Sequence, residues 1–333
     1  MYAIRHMSDT HAESAAGSAP ERISFLLLPE FAMMAFMSAV EPLRVANRLG
    51  GKDLFRWQIL SPDGHPVTAS NGMKVVADAA APDIERVSTL FICASFEPER
   101  HCDQNLRLWL RRMAAYGAVL GAIDTGSFLL ARAGLLDGYR VTMHWESRAA
   151  FREAFPTIHA TQELFEIDGN RLTCAGGTAA MDMMLHMIGR RHSQELAVDV
   201  SEQFIRERIR ERSDHQRMAL RARLGIHNPH ILRVVALMEK NIETPLRIAE
   251  LAAQTGVSTR QLERLFTQHL HDTPQGYYLK LRLAHARRLL QQTSMHVISI
   301  ALACGFGSAA PLSRAYKAHF GRTPRQDRRL SFE

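Results

Sequence analysis

The 333-residue sequence predicts two folds in series: an open α/β sheet over residues 21–193, and an all-α domain with two helix-turn-helix units over residues 228–333. Three observations carry this. Short apolar runs alternate with amphipathic stretches in the N-terminal half, the pattern of buried parallel strands covered by helices. Near the C-terminus a single form is written twice, RIAELAAQTGVSTRQLERLFTQHL from Arg247 to Leu270 and ISIALACGFGSAAPLSRAYKAHFG from Ile298 to Gly321. The charge is also uneven. The whole chain has 41 Lys and Arg against 34 Asp and Glu, while residues 228–333 alone hold 15 against 7. The C-terminal third is therefore the region that faces a polyanion.

The first-domain elements read in order as follows. Ile23–Leu28 is a buried strand, followed by an amphipathic helix over Met34–Leu49. Phe55–Ser61 and Thr89–Ala94 are further strands, and Asp103–Tyr116 is a helix with Leu106, Leu110 and Met113 at helical spacing. Ala118–Ile123 is a strand that runs into a helix over Ser127–Ala133. Phe165–Ile167 and Arg171–Ala175 make a hairpin around Asp168-Gly169-Asn170, and Thr178–Arg191 closes the domain as a helix whose methionines read as packing. Residues 194–227 read as a charged helical linker, with Ile205 and Ile209 one turn apart among Glu/Arg pairs. A solvated helix is expected there, with a dimer contact as the alternative.

The rest of the composition narrows the class. Cys93, Cys102, Cys174 and Cys304 form no CxxC pair and no metal spacing, so they read as reduced, mostly buried thiols. No metal and no cofactor is expected. Residues 1–20 are polar and lack the apolar core of a secretory signal; a disordered arm or a misassigned start is expected. No apolar run reaches the length of a membrane span. A cytoplasmic chain is expected.

Each repeated unit is a short Ala-rich helix, a glycine (Gly256, Gly305), an apolar residue (Val257, Phe306) and a Ser that can cap a second helix (Ser258, Ser308). Ser258 and Gln261 have capping-box spacing. Leu262, Leu265 and Phe266 should face the core, as should Leu312, Ala315, Tyr316, His319 and Phe320. The other faces present Ser258, Thr259, Arg260, Gln261, Arg264 and Gln268 in the first unit, and Ser308, Ala309, Ala310, Ser313, Arg314 and Lys317 in the second. Arg and Gln read base edges, and Lys and Arg hold phosphates. The Ala309-Ala310-Pro311 start weakens base reading in the second unit, so Arg314 and Lys317 are expected to grip backbone. The bland alternative is a helical bundle with solvated faces; duplication, capping and charge together weigh against it.

These words resemble the AraC/XylS-type DNA-binding domain: PLRIAELAAQTGVSTRQLERLF, the YYLKLRLAHARRLL helix, and IALACGFGS followed by LSRAYKAHFGRTPRQDR. The resemblance implies two units (247–270 and 298–320) joined by a long helix over Gly276–Gln292, with both recognition helices entering successive major grooves of double-stranded DNA. Arg247 departs from the usual Ser or Thr cap.

In the first domain the informative turn is Gly121-Ala122-Ile123-Asp124-Thr125-Gly126-Ser127. A strand passes directly into a helix there, the place where α/β enzymes display a nucleophile. The position holds Asp124, which cannot do thiol chemistry. Residues 23–191 resemble the PfpI-like, class I glutamine amidotransferase-like domain with its flavodoxin-like sheet, through AVEPLRVAN, SNG, DTGSFLLARAGLLDG, TMHWE and CAGGTAAMDMML. In enzymatic members the elbow carries Cys paired with a His. Here His144 holds the His position and Asp124 the Cys position, so no catalytic residue is assigned.

Glu41, Ser70, Asn71, Asp124, Thr125, His144, Trp145, Glu146 and Thr178 are the candidates to line a ligand pocket at the carboxyl ends of the strands. An anionic Asp124 would attract a cation, and Trp145 with Phe96 or Phe128 could supply a cation–π wall. The expected occupant is a small cationic or zwitterionic metabolite of the betaine, carnitine, methylated glycine or arginine class. Relatives of this two-domain class include regulators of arginine, carnitine and glycine-betaine metabolism. The alternatives are that Asp124 merely caps the next helix and that Trp145 is core. The expected function is an effector-responsive transcription regulator, an activator, with promoter DNA, a small-molecule effector and RNA polymerase as partners. A homodimer is suggested by the resemblance rather than by these residues. A PfpI-like hydrolase or amidase fused to a DNA-binding domain is the runner-up.

Overall fold

In a computed structural model of the chain, which describes residues 19–293 and 295–330, the apolar runs of the N-terminal half form a seven-stranded sheet. The expected arm falls largely on residues 1–18, outside the described residues. In chain order the domain contains β1 (Glu21–Leu27), α1 (Met33–Gly50), β2 (Phe55–Ser61), β3 (Val67–Thr68), β4 (Lys74–Val75), β5 (Ala79–Ala80) and β6 (Thr89–Ala94). Then come α2 (Gln104–Ala115), β7 (Val119–Asp124), α3 (Ser127–Arg132), β8 (Arg140–Val141), α4 (Arg148–Ala154), β9 (His159–Ala160), β10 (Phe165–Asp168), β11 (Arg171–Cys174) and α5 (Ala179–Arg191). The sheet order is β10-β11-β7-β6-β1-β2-β5. β10 runs antiparallel to β11, as the expected hairpin, and the other neighbours are parallel. The chain moves outward from β1 to β5, then returns to β6 on the other side of β1. The order reverses between β1 and β6, and the carboxyl ends of the strands are the edge at which open α/β sheets take ligands.

Successive strand residues point to opposite faces, so each strand feeds two cores. Leu26, Leu90, Ile92, Leu120 and Ala122 pack with Leu110 of α2 and Leu129 of α3. Ile23, Phe25, Leu27, Phe91, Cys93 and Ile123 pack with Phe36 and Leu43 of α1 and Met184 and Ile188 of α5. Phe25 and Phe91 stack across neighbouring strands with ring centroids 5.7 Å apart. Burial of such side chains contributes about 1.5–3 kcal/mol each. Among the described residues no helix is long and apolar enough to cross a membrane.

The linker is not one solvated helix. Helix α6 (Gln194–Glu202) buries Ala197 and Val200 against α1 and α5, so it belongs to the first domain. Residues 203–219 then form an irregular strap, and Ile205 takes a left-handed φ of 53°. The Glu/Arg pairs that suggest a helix lose to buried carboxylates. Asp182, fully buried on α5, holds Arg206 and Arg210, and Glu166, buried on β10, holds Arg212 and Arg140. A buried carboxylate left unpaired costs more than an exposed helical ion pair returns.

The C-terminal domain holds α7 (Leu220–Leu224), α8 (Pro229–Lys240), α9 (Ile248–Gln254), α10 (Thr259–Leu270), α11 (Pro274–Gln292), α12 (Val297–Ala303), α13 (Ala309–Phe320) and α14 (Pro324–Leu330). Gly256 and Gly305 both take φ +71°, ending the first helix of each unit as expected. The Ser258 hydroxyl accepts from the Gln261 amide at 3.2 Å, so the serine half of the capping box is present. Ser308 makes no such cap. Arg247, which has no acceptor, is replaced in the capping role by Glu250, whose carboxylate accepts from the Arg247 amide at 2.7 Å. The first unit packs around Leu251, Leu262, Leu265, Phe266 and Tyr278, with α8 supplying Ile231, Val234, Val235 and Met238. In the second unit Leu312 and Tyr316 are buried, whereas His319, expected in the core, is exposed. The apolar interior of the second unit is continuous with that of α3 and α4, and α11 packs against α4. The two domains therefore share a core.

Candidate functional site

The elbow forms as the sequence predicts. β7 ends at Asp124, whose backbone is left-handed with φ 61°, a conformation Asp tolerates better than most residues. The turn is pinned on both sides. Thr125 Oγ1 donates to the Ser95 carbonyl at 2.6 Å, and Ser127 Oγ donates to the Thr142 carbonyl at 3.0 Å. Asp124 does not cap α3, whose N-terminal residue Gly126 has no side-chain cap. Its carboxyl is buried, and burial pushes it up to about 7; the negative charge of Glu146 pushes the same way, and a hydrogen bond with Ser95 opposes them. Near neutral pH this is a carboxyl that takes up and releases a proton, not a fixed anion. Cys174 and Cys93 lie beside it on β11 and β6. Burial pushes Cys174 up to about 12 and raises Cys93 well above the ordinary thiol, so neither is a thiolate.

Above the elbow is a cavity of about 170 Å³, lined by His144, Trp145, Leu164, the segment 175–179, Arg210 and Gln216. Gly176 separates it from Asp124: a Cβ at Gly176 would lie 2.7 Å from the Asp124 Cβ. Burial holds His144 below the ordinary imidazole range, so it enters as a neutral donor and acceptor. Arg210 is fixed by bonds to both Asp182 (2.6 and 2.9 Å) and Thr178 Oγ1 (2.8 Å). The Gln216 amide nitrogen reaches the Glu163 carbonyl at 2.7 Å, Thr142 Oγ1 at 3.1 Å and the Met143 carbonyl at 3.2 Å. Its carbonyl oxygen is buried with no hydrogen-bond partner. An unpaired buried acceptor costs about 1–3 kcal/mol, which a ligand donor or a water would recover.

Of the nine residues singled out from the sequence, the structure brings His144, Trp145 and Thr178 to the cavity wall. Asp124 stands behind Gly176, and Thr125 is buried beside it. Glu146 lies 3.9 Å from His144 Nδ1. Glu41 is paired with Arg44 on α1, and Ser70 and Asn71 are exposed next to the β3–β4 hairpin. Neither phenylalanine joins Trp145. Phe128 packs edge-on against Phe151 at 5.1 Å, and Phe96 is exposed. Instead the guanidinium of Arg217 lies 4.4 Å from the Trp145 ring centre and that of Arg288, on α11, lies 5.7 Å away. Nothing in the local sequence marks Arg210, Gln216, Arg217 or Arg288 as site residues, because a run of arginines looks the same whether it is solvated or folded inward. The Gly176-Gly177 pair is visible in CAGGTAAMDMML, but its packing against Asp124 is not.

In the second domain Ser258, Thr259, Arg260, Gln261, Arg264 and Gln268 are all exposed along α10. In the second unit Ser308, Ala310, Arg314 and Lys317 are exposed, while Ala309 and Ser313 are half-buried. Arg282 on α11 secures the second turn. It donates to the Cys304 and Gly305 carbonyls at 2.8 and 2.7 Å and lies 4.2 Å above the Phe306 ring. It satisfies carbonyls that the end of α12 leaves free. The result is two helix faces with basic and amide side chains pointing outward on a rigid scaffold, an arrangement suited to phosphate and base-edge contacts.

The DJ-1/PfpI family pattern matches residues 21–190, and the helix-turn-helix domain pattern matches residues 251–330. The chain is 53% identical over 304 residues to the HTH-type transcriptional regulator CdhR of Pseudomonas aeruginosa, covering 91% of this chain and 90% of that one. It is 49% identical over 309 residues to the HTH-type transcriptional regulator GbdR of Pseudomonas aeruginosa, covering 93% and 84%. A crystal structure of an AraC family transcriptional regulator from Pseudomonas putida matches with a TM-score of 0.51 and 34% identity, over 56% of this chain and 100% of that one.

Proposed function

The chain belongs to the DJ-1/PfpI family through its first domain and to the HTH-type transcriptional regulators with an AraC-type domain over its length; from that premise we propose that the cavity beside Trp145 holds the small-molecule effector of a non-catalytic sensor domain. The observation that carries this is the elbow. It keeps the geometry that displays a nucleophile but presents Asp124, shut behind Gly176, with no thiolate beside it. Cavity size favours a small metabolite, since drug-sized ligands occupy about 300–1,000 Å³. Arg210 repels a bare cation and attracts a carboxylate, whereas the Trp145 indole attracts an onium group. A zwitterion of the betaine, carnitine or methylated-glycine class satisfies both better than a simple cation does. Ligand binding then shifts the population of chains able to hold promoter DNA and engage RNA polymerase. We take the regulator to be an activator acting in the cytoplasm, where its DNA is, with a homodimer as its working form. Turnover of amide or ester substrates by the purified full-length protein, lost on Asp124→Asn, would favour a hydrolase instead. A ligand-dependent rise in melting temperature without turnover supports the sensor.

A further inference from the structure

The strap over residues 203–219 begins on a strained residue. Helix α6 stops at Glu202, and the turn that ends it puts Ile205 in the left-handed region at φ 53°, its amide bonded to the Glu202 carbonyl at 2.9 Å. Glycine or asparagine usually takes that place, and a β-branched side chain is an outlier there. The Ile205 side chain is 96% exposed, so its own packing does not offset the backbone cost. Two polar atoms of the strap, Gln216 Oε1 and Arg206 Nη1, are also buried without hydrogen-bond partners. Against these stand the pairs of Arg206 and Arg210 with Asp182 and of Arg212 with Glu166. The same strap meets both domains. Arg210 and Gln216 line the cavity, and Arg217, the next residue, reaches Glu239 of α8 at 3.7 Å; Arg223 of α7 holds the same carboxylate at 2.8 Å. The segment also has a second conformation written in its sequence. Continued from α6 as helix, it would set Glu202 four residues before Arg206, the favourable order for an exposed pair, and place Val198, Ile205 and Ile209 on one face.

We infer that the strap is a latch that the effector fastens: a ligand in the cavity binds the closed strap, through Arg210 and Gln216, and not the released one, while the strain at Ile205 favours release. This rests on the effector reading of the cavity and adds the element that changes state. A released strap takes Arg210 and Gln216 out of the cavity wall, so ligand and latch are linked. Occupancy shifts the population to the closed form, and anything that favours closure tightens ligand binding. Because Arg217 of the strap and Arg223 of α7 both hold Glu239, closure also holds α8, which completes the core of the first helix-turn-helix unit.

The test uses the full-length protein, with glycine betaine, dimethylglycine and carnitine as probes and a rise in melting temperature as the sign of binding. Hydrogen exchange is read at two amides bonded through the strap. That of Arg210 donates to Asp182 Oδ1 at 3.0 Å, and that of Leu164 donates to the Arg212 carbonyl at 2.9 Å. A probe that binds should slow both by about a hundredfold at about 100 times its Kd, the factor 1 + [L]/Kd for a ligand held by the closed form alone. Without probe, Ile205→Gly and Ile205→Asn, which relieve the left-handed residue, should slow the same amides by about three- to tenfold. In Glu239→Gln the probe should still protect the strap but no longer α8. Binding that leaves the Arg210 and Leu164 amides unchanged overturns the latch and leaves the effector reading standing. Exchange in both Ile205 variants as fast as in the wild type overturns the strain that opposes closure. Protection of α8 that survives Glu239→Gln overturns the link to the second domain. Failure of all three probes to raise the melting temperature overturns the effector reading for this class of ligand, and the latch as its switch with it.

Discussion

Gly176 packs so closely on Asp124 that there is no room for a side chain at position 176. A Cβ at Gly176 would lie 2.7 Å from the Asp124 Cβ, and Gly176 already takes φ +81°. Real Cβ atoms do not approach so closely, and a left-handed non-glycine residue costs about 1–2 kcal/mol on its own. Gly176→Ala should therefore destabilise the full-length protein by about 3 kcal/mol, with overpacking adding to backbone strain. Thermal melts check this; an unchanged melting temperature would mean that the elbow and the glycine loop are not packed as described.

The Asp124 carboxyl gives a stability profile with a definite sign. Burial raises it from 3.8 to about 7, so the folded chain holds the proton more tightly than the unfolded one. Stability from this group is full below about 4 and is lost as pH rises to about 7, on the order of 4 kcal/mol in all. Asp124→Asn keeps the left-handed backbone and removes the penalty. The variant should gain stability over wild type progressively between pH 4 and 7, with a constant advantage above. Parallel wild-type and variant curves across that window would rule out a buried, titrating carboxyl.

Asp182 is fully buried and holds Arg206 and Arg210. Asp182→Asn leaves two guanidiniums without their carboxylate and should cost about 3–5 kcal/mol. It should also free the strap, so that trypsin cuts within 203–219 well before it cuts elsewhere. Resistance of the strap in the variant would show that it is held by something other than this carboxylate.

The two recognition helices should fail differently. Arg260→Ala or Arg264→Ala, on the exposed face of α10, should lower specific binding by about 1–3 kcal/mol for each base edge no longer read, with melting unchanged. Arg314→Ala or Lys317→Ala should weaken binding to all sequences and reduce the salt slope by about 0.9 for each phosphate no longer held. Gel-shift titrations at several salt concentrations separate the two. Sequence-independent weakening from α10 variants would contradict the reader role we propose for it.

Much of this is legible in the chain. Apolar runs bounded by turn residues locate β2 and β6 to the residue, and the paired glycines locate both helix-turn-helix units. The elbow is legible because a strand cannot become a helix within three residues without a signature turn. The strap is not. Its arginines have helical spacing, and only the buried Asp182 and Glu166, distant in sequence, turn them inward. The cavity is half legible for the same reason. His144 and Trp145 sit in a recognisable word, whereas Arg210 and Gln216 reach the wall through tertiary contacts that no local pattern encodes. Trp145 is legible as an aromatic that would meet a cation, but the cations beside its ring come from the strap and from α11.

The most direct measurement is a thermal-shift titration of the full-length protein against glycine betaine, dimethylglycine, carnitine, arginine, glutamine and simple carboxylates. A ligand that binds only the folded state raises the melting temperature with the logarithm of its concentration over its dissociation constant. A shift is predicted with a zwitterionic onium compound, absent with simple carboxylates and abolished in Trp145→Leu. A shift with simple carboxylates or glutamine that survives Trp145→Leu, with none from any onium compound, would contradict the assignment of this cavity to an onium effector.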